Sequence, residues 1–209
     1  MSSPETRKPQ TLSIDFTIGT PPGASAPTVV TERLILRAFT EADLAPYNAI
    51  LQTPEVRASL MLPESFDEFS GWEQIAAFMG QWTLRGTGQW AVEERSSGRL
   101  IGRVGPHHPH RRDWPGVEVG WTFAPDVWGA GYATEAGRAT VDWAFSTLDV
   151  SQLCSMIRPA NERSQAVARR LGFVLVETRP FAWFPSELHG RWELTRKRWA
   201  EASPGGATA

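Results

Sequence analysis

The residues best suited to chemistry lie in one stretch, Val117-Glu118-Val119-Gly120-Trp121-Thr122-Phe123-Ala124-Pro125-Asp126-Val127-Trp128-Gly129-Ala130-Gly131-Tyr132-Ala133-Thr134-Glu135-Ala136. An apolar, β-branched and aromatic run stops at Pro125, a Gly-x-Gly turn follows, and a helical pattern begins after it. Glycine permits positive φ and close approach, so such a turn lets several backbone N–H groups point at one spot. The following helix aims the positive end of its dipole at the same place. The pattern reads as a phosphate cradle, with N–H donors from Val127, Trp128, Gly129, Ala130, Gly131, Tyr132 and Ala133 available to converge. Glu118 lies just upstream amid Val117, Val119 and Trp121, where burial would raise a carboxylate pKa. By strand alternation it shares a face with Gly120 and Thr122 rather than with Trp121.

The chain of 209 residues suits one domain, and its 41% hydrophobic content is enough for a sizeable core. A net charge of −2 gives no sign of a broad nucleic-acid surface. Cys154 is the single cysteine, so no internal disulfide can form, which fits a reducing cytosol. No apolar run approaches the roughly 18–20 residues of a membrane span, and the polar start has no signal-peptide core. The expectation is a cytoplasmic protein with no membrane or nucleic-acid partner. Ten tryptophans point first to core packing, and second to a deep cleft lined by some of them.

Around the cradle the elements alternate. Residues 1–30, with Pro4, Pro9, Pro21, Pro22 and Pro27, read as a mostly flexible extension in which Leu12 to Ile18 alternates weakly enough for an edge strand. Residues 31–199 form the domain, and 200–209 a flexible tail. Arg33 to Phe39 reads as a strand, after which Thr40 caps a short helix with Glu41 and Asp43 in its first turn. Ser65 to Leu84 is helical, with Phe69, Trp72, Ile75, Ala76 and Met79 on one face. Gln89 to Glu94 and Arg99 to Val104 flank a Ser96-Ser97-Gly98 turn, and Val117 to Phe123 is the next strand. The helix after the glycine turn runs to about Leu148, with Ala133, Ala136, Gly137, Thr140, Val141, Ala144 and Leu148 inward. Gln152 to Ile157 is a strand, Asn161 to Leu171 a helix ended by Gly172, and Phe173 to Glu177 and Arg191 to Thr195 close the sheet. The fold class is α+β, a mixed sheet of about six or seven strands flanked by about four helices.

In this order the elements resemble the GNAT superfamily of acetyl-CoA-dependent N-acetyltransferases, and within it the RimJ/RimL-type ribosomal-protein N-terminal acetyltransferases. Three segments between Thr31 and Arg198 carry the resemblance: Thr31-Glu32-Arg33-Leu34-Ile35-Leu36-Arg37 with Thr40-Glu41-Ala42-Asp43-Leu44; Trp128-Gly129-Ala130-Gly131-Tyr132-Ala133-Thr134-Glu135-Ala136; and Asn161-Glu162-Arg163-Ser164-Gln165-Ala166-Val167-Ala168-Arg169-Arg170-Leu171-Gly172-Phe173. The resemblance implies a splayed central strand pair with acetyl-CoA as co-substrate and an amine as acceptor, without a metal. The pantetheine arm would pair with the backbone of Trp121 and Phe123 and meet Asn161, whose plainer role is a helix N-cap. Asp126 departs from the pattern, since most members carry Gln or Arg there. The backbone rather than that side chain would then hold the pyrophosphate.

Acetyl transfer needs a base to strip the amine, for which Glu118 is the first choice and Glu93 and Asp113 are rivals. Many family members supply a tyrosine as acid seven residues after the asparagine, where this chain has Ala168; Ser164 matches the serine proposed for ribosomal-type members. Tyr47 and Tyr132 are the only tyrosines. The missing tyrosine and Asp126 also fit a second reading, a non-catalytic coenzyme A-binding sensor or scaffold. His107, His108 and His110 with Arg111 and Arg112 read as a solvated loop between strands, and Cys154 as buried and inert. Trp183, Phe184 and Pro185 suit an acceptor wall or a dimer contact, so the chain is expected to be a monomer or homodimer.

Overall fold

The computed structural model describes residues 26–202. Its strands are β1 (Val29–Val30), β2 (Leu34–Arg37), β3 (Trp90–Glu94), β4 (Leu100–His107), β5 (Glu118–Phe123), β6 (Gln152–Ile157), β7 (Val174–Phe181) and β8 (Phe184–Thr195). Its helices are α1 (Leu44–Leu51), α2 (Pro54–Leu60), α3 (Glu68–Arg85), α4 (Tyr132–Thr147), α5 (Glu162–Arg170) and α6 (Arg196–Ala202). Short 3-10 turns at Glu41–Asp43 and Pro125–Val127 precede α1 and the glycine turn. The eight strands form one mixed sheet in the order β1-β2-β3-β4-β5-β6-β8-β7. Among the described residues this gives one strand and two helices more than expected. The additions are the two-residue β1, pairing with β2 inside the segment expected to be flexible, and the single-sided helices α2 and α6, too short for a clear periodic signal. The expected strand over Leu12 to Ile18 lies outside the described residues.

β5 organises the molecule. Val117 and Val119 pack with Val141 and Ala144 of α4, Val167 of α5 and Leu171 at its C-cap, so the odd residues face those helices. Glu118, Gly120 and Thr122 face the other way, toward the layer of α1 and α3 built on Phe39, Tyr47, Phe78 and Ala91. The inward face of α4 is as expected, with Ala136, Gly137, Thr140, Val141 and Ala144 buried. A Cβ on Gly137 would sit 2.7 Å from Leu171 Cδ1, so any larger residue there would force Leu171 to shift.

The face of α3 is rotated from its expected setting. Gly71, Ile75, Phe78 and Trp82 are buried, while Phe69, Trp72 and Met79 are exposed. Periodicity alone offered two overlapping stripes that share Ile75. The inward one is fixed by Phe78 against Phe39 and by Trp82, which joins Trp90 and Trp143 in a cluster with centroids 4.8–5.4 Å apart. The β7–β8 hairpin is also longer than expected and runs through Pro180 and Pro185. β7 is an edge strand, where a missing N–H is tolerated, so pairing continues through Pro180↔Leu188.

β5 and β6 run parallel but share a single registered pair, Glu118↔Cys154, and then part. This is the splayed central pair. No helix among the described residues is long and apolar enough to cross a membrane.

Candidate active site

At the C-terminal end of the parted strands the chain turns through Pro125–Val127 into the two glycines. Gly129 and Gly131 have φ of 83° and 85°, a conformation that side chains with a Cβ resist. The preceding 3-10 turn uses the N–H groups of Val127 and Trp128, which donate to Ala124 O at 3.2 Å and Pro125 O at 3.1 Å. Ala130 N–H donates to Val127 O at 3.4 Å. The cradle is thus narrower than expected. The N–H groups of Gly129, Gly131, Tyr132 and Ala133 remain without a hydrogen bond among the described residues, two of them opening α4 as the first turn of any helix must.

The loop is braced from β2's approach. Glu135, in the first turn of α4, accepts from Thr31 Oγ1 (2.6 Å), Arg33 N (2.9 Å) and Arg33 Nε (2.7 Å). The Arg33 guanidinium also donates to Ala130 O at 2.9 Å and lies 4.4 Å from the Tyr132 ring centroid. The Tyr132 hydroxyl bonds Glu94. Two sequence segments, Thr31-Glu32-Arg33 and Tyr132-Ala133-Thr134-Glu135, therefore hold each other and fix the direction of the amides.

Beside these amides opens a cavity of about 760 Å³. Trp121 and Phe123 of β5, Val127, Trp128, Gly129, Gly131, Tyr132 and Ala133 of the loop, and Asn161 and Ser164 of α5 all line it. Of the residues singled out for the cofactor, Ala130 alone does not. β5 points the backbone groups of Val119, Trp121 and Phe123 toward the gap, since its alternate residues pair with β4. Trp128 Nε1 already donates to Phe123 O at 2.9 Å, closing that end of the edge. Asn161 is the N-cap of α5: its Oδ1 accepts from Ser164 N at 3.1 Å, so what it offers a ligand is its NH₂ group.

Sequence reasoning missed the cavity's far side. α2 contributes Glu55, Val56, Ser59 and Leu60, and the rim carries Arg138, Arg163 and Arg170. Arg163 and Arg170, seven residues apart, share one face of α5, a spacing that was legible. Arg163 stacks over Trp128 at 4.6 Å from the ring centroid. Asp126 is turned outward, 2.7 Å from Arg99, and does not line the cavity.

Glu118 sits where β5 and β6 part. The N–H of Met156, which a continuing ladder would give to a β5 carbonyl, donates instead to Glu118 Oε1 at 3.2 Å. Burial pushes the carboxyl up to about 7, against that hydrogen bond and the fields of Arg103 and Arg111. His107 is the correction here. Rather than lying in a solvated loop, it ends β4 directly opposite Glu118, with Nε2 3.7 Å from Oε2. Burial drives its pKa down to about 3, so it is neutral. His108 and His110 do lie in the loop after β4, with His110, Arg111 and Arg112 exposed as expected, and each histidine meets Arg85 at the end of α3 through Nδ1, at 3.2 and 3.0 Å. The rivals of Glu118 are committed elsewhere: Glu93 bonds Arg37 at 2.8 Å and Asp113 bonds Arg179 at 3.0 Å. Cys154 is buried, and burial raises its thiol well above the usual range. Trp183 forms the β7–β8 turn and packs on Trp114 and His189.

Comparison with known proteins gives one family. The profile described as Acetyltransferase (GNAT) domain matches residues 33–174. A protein of Bacillus subtilis (strain 168) named uncharacterized N-acetyltransferase YoaA is 32% identical over 152 residues, which is 70% of this chain and 82% of that one. The crystal structure of an acetyltransferase from Agrobacterium tumefaciens str. C58 superposes with a TM-score of 0.71 at 30% identity, covering 91% of this chain and 100% of that one. The spermidine N-acetyltransferase of Vibrio cholerae, solved with CoA and spermine, shares the fold at a TM-score of 0.63 and 18% identity, over 81% of this chain and 99% of that one. With a glycine turn opening a helix beside a parted strand pair, and a matching profile over most of its length, the chain belongs to the GNAT acetyltransferase family.

Proposed function

We propose that this acetyltransferase holds acetyl-CoA in the cavity between the parted strands and the α4–α5 side, and uses Glu118 as the base that activates a primary amine. The enzyme moves the acetyl group from acetyl-CoA to an amino group. The N–H groups of Gly129, Gly131, Tyr132 and Ala133 fit a diphosphate, each charge-assisted bond contributing on the order of 1.5–3 kcal/mol. Arg138, Arg163 and Arg170 supply cations at the rim. The open edge of β5 at Val119 and Trp121 suits the amide-bearing pantetheine arm, which would dock as an added strand.

The thioester then lies toward Glu118. The amine nitrogen attacks the acetyl carbonyl carbon, a C–N bond forms and the C–S bond breaks. Glu118 takes the proton that the amine sheds, directly or through one water. A base with a pKa near 7 is half ionised at neutral pH and still strong enough to accept that proton. Ser164 lines the cavity, and in this reading it returns a proton to the departing thiolate. Backbone N–H groups on the open β5 edge can meet the carbonyl oxygen as it gains charge.

The observation that carries this reading is the carboxylate at the fork. β5 and β6 separate at the pair that includes Glu118, and the first N–H freed by the separation is bound by its side chain. The test is thiol release from acetyl-CoA over a panel of amines. Release must require an amine and must fall sharply in Glu118→Gln, with acetyl-CoA affinity retained. Wild-type turnover in that variant removes Glu118 from the mechanism.

A further inference from the structure

Helix α3 turns an apolar stripe to solvent. Phe69 is 62% exposed, Trp72 45% and Met79 48%, and Ala76 between them is exposed too. At about 3.6 residues per turn the four share one flank of the helix, next to the buried face of Gly71, Ile75, Phe78 and Trp82. The Phe69 and Trp72 rings stack on each other at 6.0 Å. Exposed apolar side chains scattered singly need no partner, whereas a contiguous run marks an interaction site.

The path of the chain narrows what covers it. The described residues begin at Ala26, which packs on the cluster that holds Trp82 and Trp90, and Trp90 Nε1 donates to Pro27 O at 2.7 Å. The chain therefore arrives beside the C-terminal turns of α3. It arrives on the matching flank as well. Gln81 and Arg85 turn toward the loop after β4, where they meet His108 and His110. Met79 and Trp72 lie roughly opposite them around the helix, hence toward the β1–β2 edge that Ala26 leads into.

Length and charge agree. Residues 1–25 precede Ala26, and their one apolar run is Leu12, Ile14, Phe16 and Ile18, alternating with Ser13, Asp15 and Thr17. Such a run can span about 20 Å, and Gly19 to Ser25 add roughly 23 Å of reach. Phe69 to Met79 needs only about 15 Å of helix. Upstream of the run stand Arg7 and Lys8. At the start of α3 stand Glu64, Asp67, Glu68 and Glu73, exposed and in no ion pair among the described residues. No lysine or arginine occurs between Arg57 and Arg85 to balance them.

We infer that the segment Leu12 to Ile18 of this same chain lies along the stripe of α3 as an intramolecular clasp, running in the direction of the helix. Ile18 comes to Met79, Leu12 to Phe69, and Arg7 and Lys8 to the acidic first turns. The claim does not depend on acetyl transfer, and its test reads no turnover. A nitroxide is attached to Asp15→Cys in the isotope-labelled full chain; Cys154 is buried and stays unmodified. Amide NMR signals from Phe69 to Met79 lose at least half their intensity. A mixture of nitroxide-bearing chains without isotope and isotope-labelled chains without nitroxide shows no such loss. In dilute peroxide, Met79 oxidises at least threefold faster in Ile14→Asp combined with Phe16→Asp than in the unaltered chain, by peptide mass spectrometry, while Met61 is unchanged. Loss confined to β1 would make the segment an added strand, and loss in the mixture would make the occupant a second copy. Either overturns the inference, as does the absence of any loss or an unchanged Met79 rate.

Discussion

Replacing Glu118 by Gln keeps the shape of the side chain and its acceptor for Met156 N–H, and removes only the charge and the titration. The raised pKa makes a stability prediction that is independent of catalysis. In the unfolded chain the carboxyl has its ordinary value of 4.5; in the folded protein burial lifts it to about 7. The folded state therefore holds this proton more tightly than the unfolded state. Its stabilising effect is complete below pH 4.5 and is lost as pH rises through 7. Integrated between pH 5 and pH 8.5, wild type should lose about 2.5 kcal/mol relative to Glu118→Gln. Urea unfolding of both proteins across that range measures the difference directly. The same variant should lower turnover by about 10²–10⁴-fold and remove the rise in rate that this account expects of wild type around pH 7. Parallel stability curves for the two proteins would refute the burial argument, and a retained pH limb near 7 would refute the base assignment.

Other outcomes follow from the loop and its brace. Gly131→Val places a Cβ 3.4 Å from the Arg33 guanidinium at a φ of 85°, and should weaken acetyl-CoA binding tenfold or more by calorimetry. Gly129→Ala meets no neighbour within 4 Å, so only the positive φ matters, at about 1–2 kcal/mol of stability in a thermal melt. Arg33→Ala leaves Ala130 O and one Glu135 oxygen without their partner; it should cost roughly 1–3 kcal/mol of stability and loosen acetyl-CoA. Asn161→Ala removes the cap on Ser164 N and should lower stability by about 1 kcal/mol, with a further loss in acetyl-CoA affinity if its NH₂ meets the ligand.

What could be read from the sequence was what local backbone chemistry dictates. The Gly129-Ala130-Gly131 turn, the helix beginning at Tyr132, the Asn161 cap and the Gly172 stop are set by residues a few positions apart, and all appear where expected. The setting of α3 was not legible, because its buried stripe is chosen by Phe39, Trp90 and Trp143 on distant segments. His107 was misplaced for a similar reason. Pro106 reads as a break, yet it stands opposite Val119, at a position where β5 turns its hydrogen-bonding groups away, so β4 runs on and carries His107 to Glu118. The cradle was drawn too wide because sequence shows which N–H groups exist and not which the Pro125–Val127 turn consumes.

The central claim is that four backbone amides grip the diphosphate of acetyl-CoA. Amide NMR during a titration with acetyl-CoA tests it most directly. The account predicts that Gly129, Gly131, Tyr132 and Ala133 shift together and saturably, more than Val127, Trp128 and Ala130, whose N–H groups are already engaged. Binding that leaves those four resonances in place would contradict it.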